Sequence, residues 1–180
     1  FIDEALDHGF FNQKIANAIE VRRKQNLFRK DNNIWRLVHG EGDNLPGLII
    51  DYYAGVAVIQ CHSIGMFQSV ELVSEALKLA LGEELTAIYS KSSDTLKKDV
   101  GDRYLFGDCS TPHLALENGV KFNIDWINGQ KTGFFIDQRE NRLLLAKYSK
   151  DKKVLNTFCY SGGFSLLALK NGAKEVHSLD

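Results

Sequence analysis

The 180 residues are 44% hydrophobic and 25% charged, a balance that permits a buried core and excludes an intrinsically disordered chain. A formal net charge of −1 gives no overall electrostatic signature of nucleic-acid binding, so any contact to phosphate has to come from local basic patches. No apolar run reaches the roughly 20 residues of a membrane span, and the start, Phe1-Ile-Asp-Glu, does not read as a signal peptide.

Three cysteines, Cys61, Cys109 and Cys159, odd in number and without CxxC spacing, point to a reducing, cytoplasmic compartment. The five histidines are scattered and form no ligand spacing, so no metal centre is expected. The first residue is not Met, which suggests a fragment.

From Asp3 to Lys24, Leu6, Phe10, Phe11, Ile15, Ala18 and Ile19 recur at near-helical spacing, with Gly9 able to split the segment in two. Lys14, Arg22, Arg23 and Lys24 make it basic, as a solvated helix face or an RNA-contacting one. Strands follow at 35–39, 48–53 and 56–61, the last two joined through Ala54-Gly55. Between the first two, residues 41–47 are rich in turn formers, and Asp43 or Asn44 can bond local backbone.

The spacing of Val70, Val73, Leu77 and Leu81 predicts an amphipathic helix over 67–81, and 87–90 reads as a strand. Residues 92–103 are polar and irregular, a surface loop by composition. Lys91, Lys97, Lys98 and Arg103 could meet phosphates there, although Asp94, Asp99 and Asp102 nearly cancel them. Residues 114–116 and 120–124 predict a hairpin across Asn118-Gly119, the strongest short turn signal. A compact α+β domain, 1–126, would end there.

Beyond it, Asp137 is placed to cap a helix with Glu140 reaching back, and Leu143, Leu144 and Ala146 would bury its face. The final stretch reads as strand, glycine turn, helix, strand and acid: Val154-Leu155, then Ser161-Gly162-Gly163, then 164–169 ended by Asn171-Gly172, then 175–179 and Asp180. That order is half a nucleotide-binding unit, in which the helix start faces the ligand and the acid accepts from ribose hydroxyls. Only the adjacent pair Gly162-Gly163 stands where a dinucleotide fingerprint needs G-x-G-x-x-G, so a hydride-transfer cofactor is the weaker reading.

Three segments carry a family resemblance: Gly40-Glu-Gly-Asp-Asn-Leu-Pro-Gly47, Lys131-Thr-Gly-Phe-Phe-Ile-Asp-Gln-Arg139 and Asn156-Thr-Phe-Cys-Tyr-Ser-Gly-Gly-Phe164. Together they resemble the class I S-adenosylmethionine (SAM)-dependent 23S rRNA cytosine-5 methyltransferases of the large-subunit methyltransferase I type. The resemblance implies an α+β amino-terminal domain followed, over 127–180, by the start of an α/β Rossmann-like SAM methyltransferase domain. It implies ribosomal RNA as partner, leaves a homodimer open, and predicts no membrane association. The chain would lack a preceding RNA-binding domain and most of the catalytic domain, and would be inactive alone.

Site roles carry over on the matched positions. Tyr160, Ser161, Gly162 and Gly163 would contact the methionine part of the cofactor, and Asp180 its ribose. Lys131, Thr132, Gln138 and Arg139 would close over the cofactor carboxylate or the RNA, the alternative being that Arg139 and Arg142 are solvated or paired to Glu140. Asn156 stands where an acid is commoner, which removes the usual polar contact from that position. The 40–47 segment, simply a loop on composition, would help shape the substrate cleft. Cytosine-5 methylation needs a thiolate that adds to C6. The resemblance places that cysteine beyond this chain, leaving no catalytic residue here and Cys159 a packing residue. Methylation of another base or RNA is the alternative within enzymes, and a non-catalytic RNA-binding module the alternative outside them.

Overall fold

The computed structural model describes residues 5–96 and 100–180. Helix α1 (His8–Lys24) starts where the Asp7 carboxylate accepts from the Phe10 N–H at 3.0 Å. Gly9 therefore lies inside one helix, its cost of about 1 kcal/mol offset by the cap, and the expected split does not occur. Phe11, Ile15, Ala18 and Ile19 form the buried stripe, whereas Leu6 precedes the helix and is exposed. The expected start at Asp3 lies outside the described residues.

Strands β1 (Ile34–His39), β2 (Leu48–Tyr53), β3 (Val56–Cys61), β4 (Ala87–Ser90) and β5 (Arg103–Phe106) make one mixed sheet in that order. The first three are antiparallel neighbours, β3 and β4 are parallel, and β5 returns antiparallel to β4. The parallel crossover carries α2 (Ile64–Gln68) and α3 (Val70–Leu81). The single helix expected over 67–81 is thus two, broken at Ser69, whose N–H turns back to the Gly65 and Met66 carbonyls.

Residues 92–103 are more ordered than their polarity predicts. A short helix, α4 (Ser93–Leu96), starts where the Asp102 carboxylate accepts from the N–H groups of Ser92 and Ser93 at 2.8 and 3.0 Å. Arg103 already belongs to β5, an edge strand whose mostly exposed side chains give no hydrophobic alternation. Lys97, Lys98 and Asp99 lie outside the described residues.

One face of the sheet packs Leu37, Leu48, Ile50, Ala57 and Ile59 against α1 and α3. The opposite face is divided. Ile34, Tyr53, Val56, Val58, Ala87 and Tyr89 are apolar and share a second core with the hairpin β6 (His113–Glu117) and β7 (Val120–Ile124), and with Trp126 and Phe134. Asn118 and Gly119, at φ 51° and 70°, form the hairpin turn that Asn-Gly predicts. Farther along the same strands this face turns polar, with Arg36, Asp51 and Gln60, because side chains two apart on a strand share a side.

Helix α5 (Arg139–Tyr148), strand β8 (Lys153–Thr157), helix α6 (Gly163–Lys170) and strand β9 (Glu175–Leu179) complete the chain, with β8 and β9 parallel. The expected capping box is absent: a 3-10 turn at Ile136–Gln138 leads into α5, and the Asp137 carboxylate takes Lys131 Nζ at 3.4 Å and Gln138 Nε2 at 3.3 Å. Leu144 is 51% exposed, and the buried positions of α5 are Arg142 and Ala146. Ala146 and Leu167 join the core that also holds Ile34, so residues on both sides of position 126 pack together.

Candidate functional site

Beyond β8 the backbone enters a contorted turn. Phe158 and Tyr160 hold left-handed φ angles of 63° and 47°, and Gly162 follows at 70°. Non-glycine residues persist there only when their surroundings over-determine them, and such strain collects at functional sites. The surroundings are specific. Cys159 N–H donates to the Leu179 carbonyl at 3.0 Å, Tyr160 N–H to the Asp180 carboxylate at 3.2 Å, and Gly162 N–H to the Cys159 carbonyl at 2.8 Å. The turn is thereby laced to the carboxyl end of β9.

The first helical bond of α6 runs from Leu166 N–H to the Gly162 carbonyl, so the N–H groups of Gly163, Phe164 and Ser165 lie ahead of the ladder, at the positive end of the helix. A Cβ on Gly163 would stand 2.9 Å from Arg142 Cδ, which is why glycine is required between α6 and α5. Facing the turn is a cavity of about 500 Å³ lined by Gln130, Phe135, Gln138, Arg142, Phe158, Cys159, Tyr160, Ser161, Gly163, Phe164 and Asp180. Tyr160 clasps its two walls. The hydroxyl accepts from Gln130 N–H at 3.1 Å and donates to the Gly133 carbonyl at 3.4 Å, while the ring meets Phe135 edge-on at 5.1 Å.

Of the residues singled out in the sequence, Tyr160, Ser161, Gly163, Gln138 and Asp180 line this cavity, and Gly162 supplies its left-handed corner. Thr132 and Arg139 do not line it. Thr132 is fully buried, its hydroxyl shared between Tyr53 Oη at 2.7 Å and Asp51 at 2.5 Å. Arg139 donates to Glu117 at 3.2 Å and to the Ile34 carbonyl. Lys131 also stays outside, its Nζ 4.4 Å above the Phe135 ring.

Nor are Arg139 and Arg142 solvated or paired to Glu140: both meet the buried Glu117 of the hairpin. Asn156 has a structural role, donating to Ser165 Oγ at 2.8 Å, which in turn bonds Ser178 Oγ at 2.7 Å, so one chain of polar atoms ties β8, α6 and β9. Phe135, Arg142 and Phe158 are cavity residues that sequence reasoning missed. Phe158 carried a signal in being a second aromatic beside Tyr160 in a glycine turn; Arg142 carried none locally, because its partner lies far upstream.

The basic patches are largely spoken for. Arg22 is buried, pairs with Asp43 through both terminal nitrogens, and donates to the Arg36 carbonyl at 3.0 Å, which excludes both readings of it as a surface cation. Asp43 also accepts from His39 N–H at 2.6 Å, the local backbone bond expected of it. Lys91 is buried with Nζ on the Gly129 carbonyl, and burial lowers its pKa; Arg103 pairs with Glu71 at 3.0 Å. Burial pushes the Cys61 thiol up to about 11 and also raises that of Cys109. Among the described residues no helix is long and apolar enough to cross a membrane, and no cluster of His, Cys, Asp and Glu could hold a metal ion.

Comparisons with known proteins converge on this half of the molecule. A family model for S-adenosylmethionine-dependent methyltransferases matches residues 35–180. The ribosomal RNA large subunit methyltransferase I of Pseudoalteromonas atlantica is 41% identical over 182 residues, covering 99% of this chain and 45% of that protein. Its namesake in Aeromonas hydrophila is 40% identical over 184 residues, covering 99% and 46%. A solved structure of a candidate SAM-dependent methyltransferase from Streptococcus mutans superposes with a TM-score of 0.86 at 26% identity, over 99% of this chain and 46% of that one. The chain thus spans about half the length of the relatives it matches.

Proposed function

Because the chain belongs to the S-adenosylmethionine-dependent methyltransferase family, we propose that the cavity between the 158–164 turn and Asp180 is its SAM site. The observation that carries this is the juxtaposition of Asp180, fixed through Tyr160 N–H, with the unengaged N–H groups that open α6. The donor set suits the molecule. A carboxylate at the end of the second strand accepts from ribose hydroxyls, N–H donors at the helix start and the turn 160–163 receive the methionine carboxylate, and Phe135 and Phe158 offer apolar faces. Gln138 completes the wall. Lys131, Thr132 and Arg139 act from behind it as positioning residues, anchoring the 130–139 segment to the sheet. Bound SAM supplies an electrophilic methyl group. In this reading 1–126 is an α+β unit and 127–180 opens the cofactor domain.

The substrate we assign is large-subunit ribosomal RNA, the target named for the relatives that are about 40% identical, with C5 of a cytosine as the acceptor atom. That chemistry needs a thiolate. Cys61 is fully buried and Cys109 lies on the far hairpin beside His113, at 3.3 Å, so we assign the nucleophile to a segment outside these 180 residues. Methyl incorporation from labelled SAM into large-subunit RNA by the full-length protein is the test, with the modified atom located by mass spectrometry of nuclease digests. Methylation of a different base or a different RNA would replace the cytosine assignment, and failure to bind S-adenosylhomocysteine (SAH) would remove the cofactor site.

A further inference from the structure

We propose that a second cavity, on the polar half of the sheet's divided face, binds one unpaired ribonucleotide of the RNA substrate, flanking the methylated base. The assignment rests on the methyltransferase reading for its substrate. The cavity measures about 610 Å³, within the range of small-ligand sites, and is floored by Arg36 and Gln60 and walled by the 40–47 loop and Lys131.

Gln60 carries the argument. It is 7% exposed, lines the cavity, and among the described residues its side-chain amide has no hydrogen-bond partner. A buried amide without partners is costly, so its donor and acceptor call for a group that offers both in one plane. The edge of a nucleobase does so, and unstacked bases are read through such edges. Beside it Arg36 is held by two hydrogen bonds of 2.9 and 3.0 Å to the buried Asp51, which fixes its direction and leaves further N–H groups free to donate. Asp51 and Asp137 already balance Arg36 and Lys131, and Glu41 and Asp94 also line the wall. A site so nearly neutral does not suit a free polyphosphate. It suits a nucleotide within a chain, whose single phosphodiester meets a cation while its ribose hydroxyl donates to a carboxylate.

The position fits a flanking nucleotide. Gln130 and Phe135 line the cofactor cavity, whereas Lys131 lines this one and lies over the Phe135 ring, so one short segment is a wall of both. Thr132 fastens that segment to Asp51, the residue that orients Arg36.

The test uses the full-length protein and the four ribonucleoside 5′-monophosphates, titrated by calorimetry against wild type and Gln60→Leu, with SAH titrated in parallel. We expect preference for one base, at least a roughly tenfold loss of affinity in Gln60→Leu, as a site loses when a polar contact is removed, and unchanged SAH binding. A second measurement needs no variant: a short single-stranded RNA carrying 4-thiouridine should photo-crosslink to peptides containing Gln60, His62 or Lys131. Equal nucleotide affinity in Gln60→Leu, or crosslinks confined to peptides outside this cavity, would overturn the site while leaving the cofactor reading intact. Absence of SAH binding with Gln60-dependent nucleotide binding would overturn the methyltransferase reading and keep the nucleotide site.

Discussion

Arg142 and Glu117, 25 residues apart, meet through two hydrogen bonds of 2.7 Å with both side chains almost fully withdrawn from water. Arg139 adds a third bond to the same carboxylate, and Arg142 continues to the Phe135 carbonyl at 3.0 Å and lies over the Phe134 ring. One acid on the hairpin therefore orients a wall of the cofactor cavity. Removing one partner of a buried ion pair leaves the other uncompensated, so Glu117→Ala should cost about 3–5 kcal/mol of stability. Denaturant unfolding measures it, and a loss below about 1 kcal/mol would show that solvent reaches the arginines.

Asp180→Ala should weaken SAH binding by at least about tenfold, since charge-assisted hydrogen bonds are worth roughly 1.5–3 kcal/mol each. The carboxylate is exposed, so the thermal midpoint should hardly move. Calorimetric titration separates the two effects, and unchanged affinity would take Asp180 out of the site.

Phe158 is 90% exposed while lining the cavity, so it adds almost nothing to the core. Phe158→Ala keeps the same left-handed strain and should change stability by no more than about 0.5 kcal/mol. Affinity for SAH should nevertheless fall several-fold. A ring that serves only the fold would give the opposite pattern, lost stability with intact binding.

Thiol chemistry should separate the cysteines. With the Cys61 thiol pushed up to about 11, the thiolate fraction at pH 8 is roughly a thousandth, against about a quarter for an ordinary thiol. Iodoacetamide should therefore modify Cys61 last, and its rate should climb with pH well beyond 9, where an ordinary thiol levels off. Peptide mapping of a time course checks the order. In the full-length protein Cys159→Ala should retain most methyl transfer, and loss of activity there would place the nucleophile beside the cofactor turn.

What the sequence revealed was local. The strands at 48–53, 56–61 and 87–90, the Asn118-Gly119 turn and the strand-turn-helix-strand order of the last segment were legible because each is announced by period-two patterning or by a residue suited to a special φ. Failures came where a distant partner decides. Gly9 looked like a breaker because the Asp7 cap was not weighed, and β5 was invisible because an edge strand shows no alternation. Arg22, Lys91, Arg139 and Arg142 read as surface cations, yet each is satisfied by a group far away in the chain. The divided face of the sheet could not be foreseen, since which half stays uncovered depends on where the hairpin lands.

Ile34 and Leu167 share one core, and that bears on how the chain is made. During synthesis at about 5–20 residues per second, the first sheet can pair long before α6 emerges, and the roughly 40 residues between Trp126 and Leu167 take about 2–8 s. For that interval Tyr53, Val56, Val58 and Ala87 have only the hairpin over them, without the Ala146 and Leu167 cover. Ribosome pausing in this window would prolong exposure of an apolar sheet face, making this window the interval in which the nascent protein most needs a chaperone.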